Sequence, residues 1–83
     1  MTPEPTSATK RAVVRTVHDR PGLVAAAVAP DNTPEVTTRV EDDIVVTTIE
    51  RETTGGLRST LDDYAINLDV AERAVRIATT QQS

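Results

Sequence analysis

Between Lys10 and Val17 the sequence KRAVVRTV reads as an extended segment, with Ala12, Val14 and Thr16 on one side and Arg11, Val13, Arg15 and Val17 on the other. β-Branched residues dominate it, as they do in strands. Valine occurs on both sides, so the alternation leaves open which side faces a core. The period then changes. Leu23 to Ala29 is an alanine-rich apolar run, preceded by Asp19 as a candidate cap and by Pro21 in a first-turn position, and stopped by Pro30. This predicts a helix of about ten residues, too short to persist without packing.

β-Branched residues return from Glu35 to Arg51. Glu41-Asp42-Asp43 separates Val36-Thr-Thr-Arg-Val40 from Ile44-Val-Val-Thr-Thr-Ile49, which predicts a hairpin turned at the acidic triplet. Alternation places Ile44, Val46 and Thr48 on one side and Val45, Thr47 and Ile49 on the other, so neither side is plainly polar. Such a sheet accepts its own helices on one face and a partner on the other face or along an edge. After Thr53-Thr-Gly-Gly56 no glycine or proline interrupts Leu57 to Ala78, which predicts a helix about 33 Å long at 1.5 Å per residue.

Within that helix Leu57, Leu61, Tyr64, Leu68, Ala71, Val75 and Ala78 follow at alternating steps of four and three, a seam that has to be buried. At 100° per residue, Ile66, Val70 and Ile77 lie about 180°, 220° and 200° from Leu57, on the side opposite the seam. A helix resting on its own sheet needs one apolar side. The second line fits a partner surface, and the alternative is that these are ordinary exposed aliphatics, since much of any protein surface is apolar.

Length then limits what the elements can do. The chain has 83 residues, one tyrosine, no phenylalanine, no tryptophan and no cysteine, enough for one small domain without disulfides or thiolate-held metals. Ligand pockets are usually lined with aromatic groups, so a free-standing enzyme is not expected, and no cofactor is implied. Residues 1–8 read as a disordered tail, 9–79 as the single folded domain and 80–83 as a frayed end. Thirteen acidic residues against nine basic ones give a net charge of −4, the wrong sign for an isolated nucleic-acid binder. Eight of the nine bases are arginine; an acid-rich, lysine-poor chain suits concentrated salt, where charge is screened. Neither a signal sequence nor a membrane span is legible, and a cytoplasmic location is expected.

Candidate chemistry is sparse. His18 is the single histidine; without a second histidine or a cysteine it reads as a turn residue rather than a zinc ligand. Glu41-Asp42-Asp43 and Asp62-Asp63 lack the alternating spacing of a calcium loop and read as solvated surface. Thr53-Thr-Gly-Gly-Leu-Arg58 could offer backbone N–H groups to a phosphate at a helix start, but it lacks the lysine and spacing of a P-loop, and its glycines read more simply as a sharp turn. Ser59 and Thr60 have no base nearby in sequence. Lys10, Arg11 and Arg15 form a basic strip that, with Arg39 and Arg51, could touch a phosphate backbone within a larger assembly; solubilising charge is the simpler reading.

The order strand, short helix, hairpin, long helix, with Gly56-Leu57-Arg58-Ser59-Thr60-Leu61-Asp62-Asp63-Tyr64 opening the last element, resembles the small Pcc-type subunit of the archaeal KEOPS complex over residues 9–79. The family's run there is serine-leucine-arginine-alanine-threonine-leucine-asparagine; Gly56, Ser59 and Asp62 depart from it. The resemblance implies an α+β fold of order β-α-β-β-α, two helices packed on one face of a three-stranded antiparallel sheet. It also implies a non-catalytic dimerisation and scaffold subunit that binds the complex's catalytic subunit and reaches tRNA indirectly, in an assembly that forms threonylcarbamoyladenosine beside the anticodon. Carried onto this chain, Val24, Val28, Ile66, Val70, Arg73 and Ile77 would meet the catalytic subunit, the sheet would serve the homodimer, and Lys10, Arg11 and Arg15 would be the candidate tRNA contacts. The alternative is a small stand-alone nucleic-acid-binding or protein-interaction domain.

Overall fold

A computed structural model describes residues 9–80. The expected tail, 1–8, and most of the expected frayed end, 81–83, lie outside the described residues. The elements are β1 (Lys10–Val17), α1 (Pro21–Val28) followed by one 3-10 turn (Ala29–Asp31), β2 (Val36–Glu41), β3 (Ile44–Arg51) and α2 (Thr54–Thr80). β3 is the central strand, with β1 and β2 antiparallel on either side. α1 rests on β2 and β3, α2 rests on β3 and β1, and the helices touch each other. The architecture is the expected α+β arrangement, in the expected order.

The register settles the faces that alternation left open. Ala12, Val14 and Thr16 stand opposite Ile49, Thr47 and Val45 on the side under the helices, while Val13 and Val17, paired with Thr48 and Ile44, stay exposed on the other. The hairpin closes at Glu41 and Ile44 through Asp42 and Asp43. Asp42 takes the left-handed backbone, φ 56°, which aspartate tolerates better than most residues.

Two helix starts differ from expectation. α1 begins from Arg20, which has no side-chain cap, and its first bond runs from the Val24 N–H to the Arg20 carbonyl; Asp19 lies one residue too early to cap. α2 begins at Thr54, ahead of Leu57, because the Thr53 hydroxyl accepts from the Gly56 N–H at 2.9 Å and the Thr53 carbonyl from the Leu57 N–H. The two glycines therefore make no turn: neither has positive φ, and both lie in the first turn of the helix. A Cβ at Gly56 would sit 3.0 Å from the Thr53 hydroxyl oxygen and 3.2 Å from an Arg51 nitrogen, so both side chains would have to shift by a few tenths of an ångström to admit one.

Val28, Ile49, Tyr64 and Ala71 form the core cluster, with Val14, Val36, Leu57, Leu61 and Leu68 packed against it. The predicted seam faces inward as far as Val75, and Ala78 is exposed. Twenty-seven helical residues run about 40 Å, whereas an eight-residue strand runs about 27 Å. Glu72 already meets His18 at the end of β1, so the last turns of α2 project beyond the sheet.

Candidate partner-binding surfaces

α2 presents two apolar sides, and only one is used by the fold. Ile66, Val70 and Ile77 are 62%, 59% and 57% exposed. Arg73 lies in line with them and pairs with Asp69 one turn earlier at 3.1 Å, both side chains being largely in solvent. The helical geometry explains the exposure: residues half a turn from the Tyr64–Ala71 seam point away from the sheet, and α1 lies beside α2 rather than over it.

Val24 and Val28 do not belong to this surface. They are 2% and 0% exposed, packed beneath α1. On a helix of eight residues with alanine at three central positions, burial has to fall on the bulky side chains nearest the sheet, and Val24 and Val28 are one turn apart on that side. The large apolar residue that α1 leaves outside is Leu23, 49% exposed, with the smaller Ala26 and Ala27.

The open face of the sheet is the second surface. Arg11, Val13, Arg15 and Val17 of β1, Ile44, Val46, Thr48 and Glu50 of β3, and Thr37, Arg39 and Glu41 of β2 share it by register. Charged pairs mark two of its corners: Arg11 with Glu50 at 2.9 Å and Arg39 with Glu41 at 2.6 Å. Arg15 and Arg39 stand on either side of Val46, which is 1% exposed although no helix covers it, a placement from which aliphatic arginine stems can cover a neighbour.

The expected basic strip is thus divided. Arg11 and Arg15 share the open face with Arg39, but Lys10 falls on the opposite side by alternation, and Arg51 turns toward α2. The Arg51 guanidinium donates to the Thr60 hydroxyl at 2.6 Å and to the Gly56 carbonyl at 3.4 Å, tying the end of β3 to the start of α2. With the Gly56 N–H already bound to Thr53, this helix start is closed by its own side chains.

Two polar joints invisible to sequence periodicity hold the layers. His18, 8% exposed at the end of β1, has Nδ1 3.1 Å from a Glu72 carboxylate oxygen and Nε2 2.7 Å from the Thr16 hydroxyl, and its backbone N–H donates to the Asp43 carbonyl. A chain of hydrogen bonds runs into the core from the half-buried Asn32 amide to the Thr38 hydroxyl, on to Thr47 and to the Tyr64 hydroxyl. No short-range motif marks either joint, because the partners lie 54 residues apart in the first and 17 apart at the Thr47–Tyr64 link.

An open groove between α2 and the start of β2 is lined by Asp31, Glu35, Arg51, Thr60, Asp63 and Asn67, among others. Glu35 there titrates below the usual glutamate range, chiefly because the Thr33 hydroxyl hydrogen-bonds to it, helped by its own backbone N–H and the nearby Arg51 charge. Among the described residues no group of three or more histidine, aspartate or glutamate side chains is arranged to hold a metal ion, and no helix is long and apolar enough to cross a membrane. No family model, curated protein or solved structure matches the chain.

Proposed function

We propose that this protein is a non-catalytic scaffold subunit of a KEOPS-type tRNA-modifying assembly, completed by neighbours on both of its sides. The observation that carries the reading is the second apolar side of α2. Ile66, Val70 and Ile77 stay exposed after the core is filled, and burying aliphatic side chains of this size is worth about 1.5–3 kcal/mol each before the cost of association. Isoleucine and valine aligned along a helix suit packing against helices of a partner.

On this reading the outer face of the helix layer, Ile66, Val70, Arg73 and Ile77 with Leu23 in place of Val24 and Val28, receives the catalytic subunit. The open face of the sheet serves a second copy, its Val13, Val17 and Ile44 framed by the charged pairs at its corners. tRNA is reached through the other subunits of the assembly, since Arg11 and Arg15 lie on the sheet face given to the second copy. The protein itself supplies no reactive group and works in the cytoplasm.

The test is co-purification with the catalytic subunit, alongside light scattering. Aspartate at Ile66 and Val70 is expected to abolish capture of that subunit while leaving the sheet-face homodimer, and aspartate at Val13 is expected to do the reverse. Full capture by the Ile66/Val70 variant would overturn the reading.

A further inference from the structure

We propose that in the free protein the outer face of α2 is covered by the same face of a second copy, the two helices running antiparallel. This goes beyond the scaffold reading and stands whether or not a catalytic subunit ever uses that face. The argument begins with spacing. Ile66, Val70, Arg73 and Ile77 follow at steps of four, three and four, the spacing of a coiled-coil seam. All four sit on one exposed line, on the side of α2 opposite its own core.

Direction follows from what meets what. In an antiparallel pair centred between Ala71 and Glu72, Ile66 packs on Ile77 of the second copy, and Val70 packs on the aliphatic stem of its Arg73. The positions flanking this seam then bring Asp69 of each copy opposite Arg76 of the other, so the register carries two opposite-charge contacts related by the two-fold axis. A parallel pair in register would set Arg73 against Arg73 in the seam and leave Asp69 facing alanine. Along the flank that carries Asp69, the order Asp62, Asp69, Arg76 is therefore self-complementary in one direction only. The interchain contacts exchange in-chain partners of both Asp69 and Arg76, which has its own neighbours beside Asp19 and Glu72; the Asp69–Arg73 pair is solvated, 57% and 67% exposed, so giving it up costs little.

Two apolar residues, a third at the overhang and one arginine stem per copy make a contact below the size of a stable interface. Self-association through it is concentration-dependent and exchangeable, and any partner that docks on Ile66 and Val70 has to displace the second copy. Combined with a sheet-face dimer, two self-complementary surfaces on opposite sides of one chain extend an assembly past the dimer instead of closing it.

The chain has no cysteine, so engineered thiols report the geometry directly. Full-length Ile66→Cys and Ile77→Cys proteins, mixed and treated with a short bifunctional thiol reagent, are expected to give a cross-linked pair well above the yield of either variant alone. Antiparallel pairing holds the two Ile66 positions apart by about eleven residues of helix, roughly 16 Å. Asp69→Arg in both proteins is expected to lower the mixed yield several-fold, and adding Arg76→Asp to restore it, which a folding defect would not do. Preferential Ile66 self-cross-linking, or a mixed yield that ignores the charge reversal, would overturn the proposal. Because no catalytic subunit is present, this outcome is separate from that of the co-purification test.

Discussion

The two faces of the sheet start from nearly the same residues and end differently. On β3, Val45, Thr47 and Ile49 point under the helices and Ile44, Val46 and Thr48 point away, so each face receives two aliphatic side chains and one threonine. Under the helices all three are at most 1% exposed, and Thr47 is held by Thr38 and Tyr64. On the open face only Val46 is buried, between the arginines of the flanking strands. A face closed by helices has to satisfy every polar group it encloses. A face closed by arginine stems leaves the charged ends in water and encloses little. The covered face therefore carries most of the packing, and the open face leaves Val13, Val17 and most of its arginine and glutamate side chains in solvent.

The sharpest break in that comparison is Ile49→Ala. Ile49 is fully buried at the centre of the core cluster, and truncation there is expected to lower the unfolding free energy by about 2–5 kcal/mol, a large share of the 5–15 kcal/mol available to a small domain. Ile44→Ala, five residues earlier on the same strand and on the open face, is expected to cost less than half as much. Urea denaturation of both variants measures the difference. Equal losses would show that the open face is packed as tightly as the covered one.

A smaller effect tests the polar half of the contrast. Thr47→Val keeps the shape but leaves the Tyr64 hydroxyl buried without its partner, at a cost of about 1–3 kcal/mol. Tyr64→Phe removes the end of the chain while Thr47 keeps Thr38, at about 0.5–1.5 kcal/mol. Thr48→Val, the same change one residue along on the open face, is expected to stay within about 0.5 kcal/mol. Denaturation midpoints at constant slope report all three, and a Thr48→Val loss as large as that of Thr47→Val would remove the distinction.

These contrasts also mark where the sequence was readable. The strands, the hairpin and both sides of α2 were legible because period two and period 3.6 act between near neighbours. The side of β1 that faces the core was not, since valine appears on both, and only pairing with β3 decides it. Val24 and Val28 were misread because an alanine-rich helix is apolar all round and shows no preferred side until it docks. The start of α2 was placed late because glycine reads as a breaker, whereas here the Thr53 hydroxyl caps the helix through the Gly56 N–H and carries both glycines inside its first turn. His18 with Glu72, and Thr47 with Tyr64, depend on contacts between elements and leave no local signal.

The smallest expected effect addresses how the open face buries Val46 at all. If the stems of Arg15 and Arg39 are the cover, the charge on Arg39 is incidental to stability: its pair with Glu41 is about half exposed on both sides, and such pairs contribute about 0–1 kcal/mol. Arg39→Met keeps the stem and removes the charge, and it is expected to match the parent within about 0.5 kcal/mol. Arg39→Ala removes both and is expected to lose up to about 1 kcal/mol, with the loss unchanged in high salt because uncovered apolar surface is not screened. A methionine variant as destabilised as the alanine one, and a parent that weakens to the same level in salt, would instead assign the cover to the ion pair. Under the stem explanation the face is held shut by side chains that swing aside at little cost, which is the property a surface needs if a second copy is to settle on it.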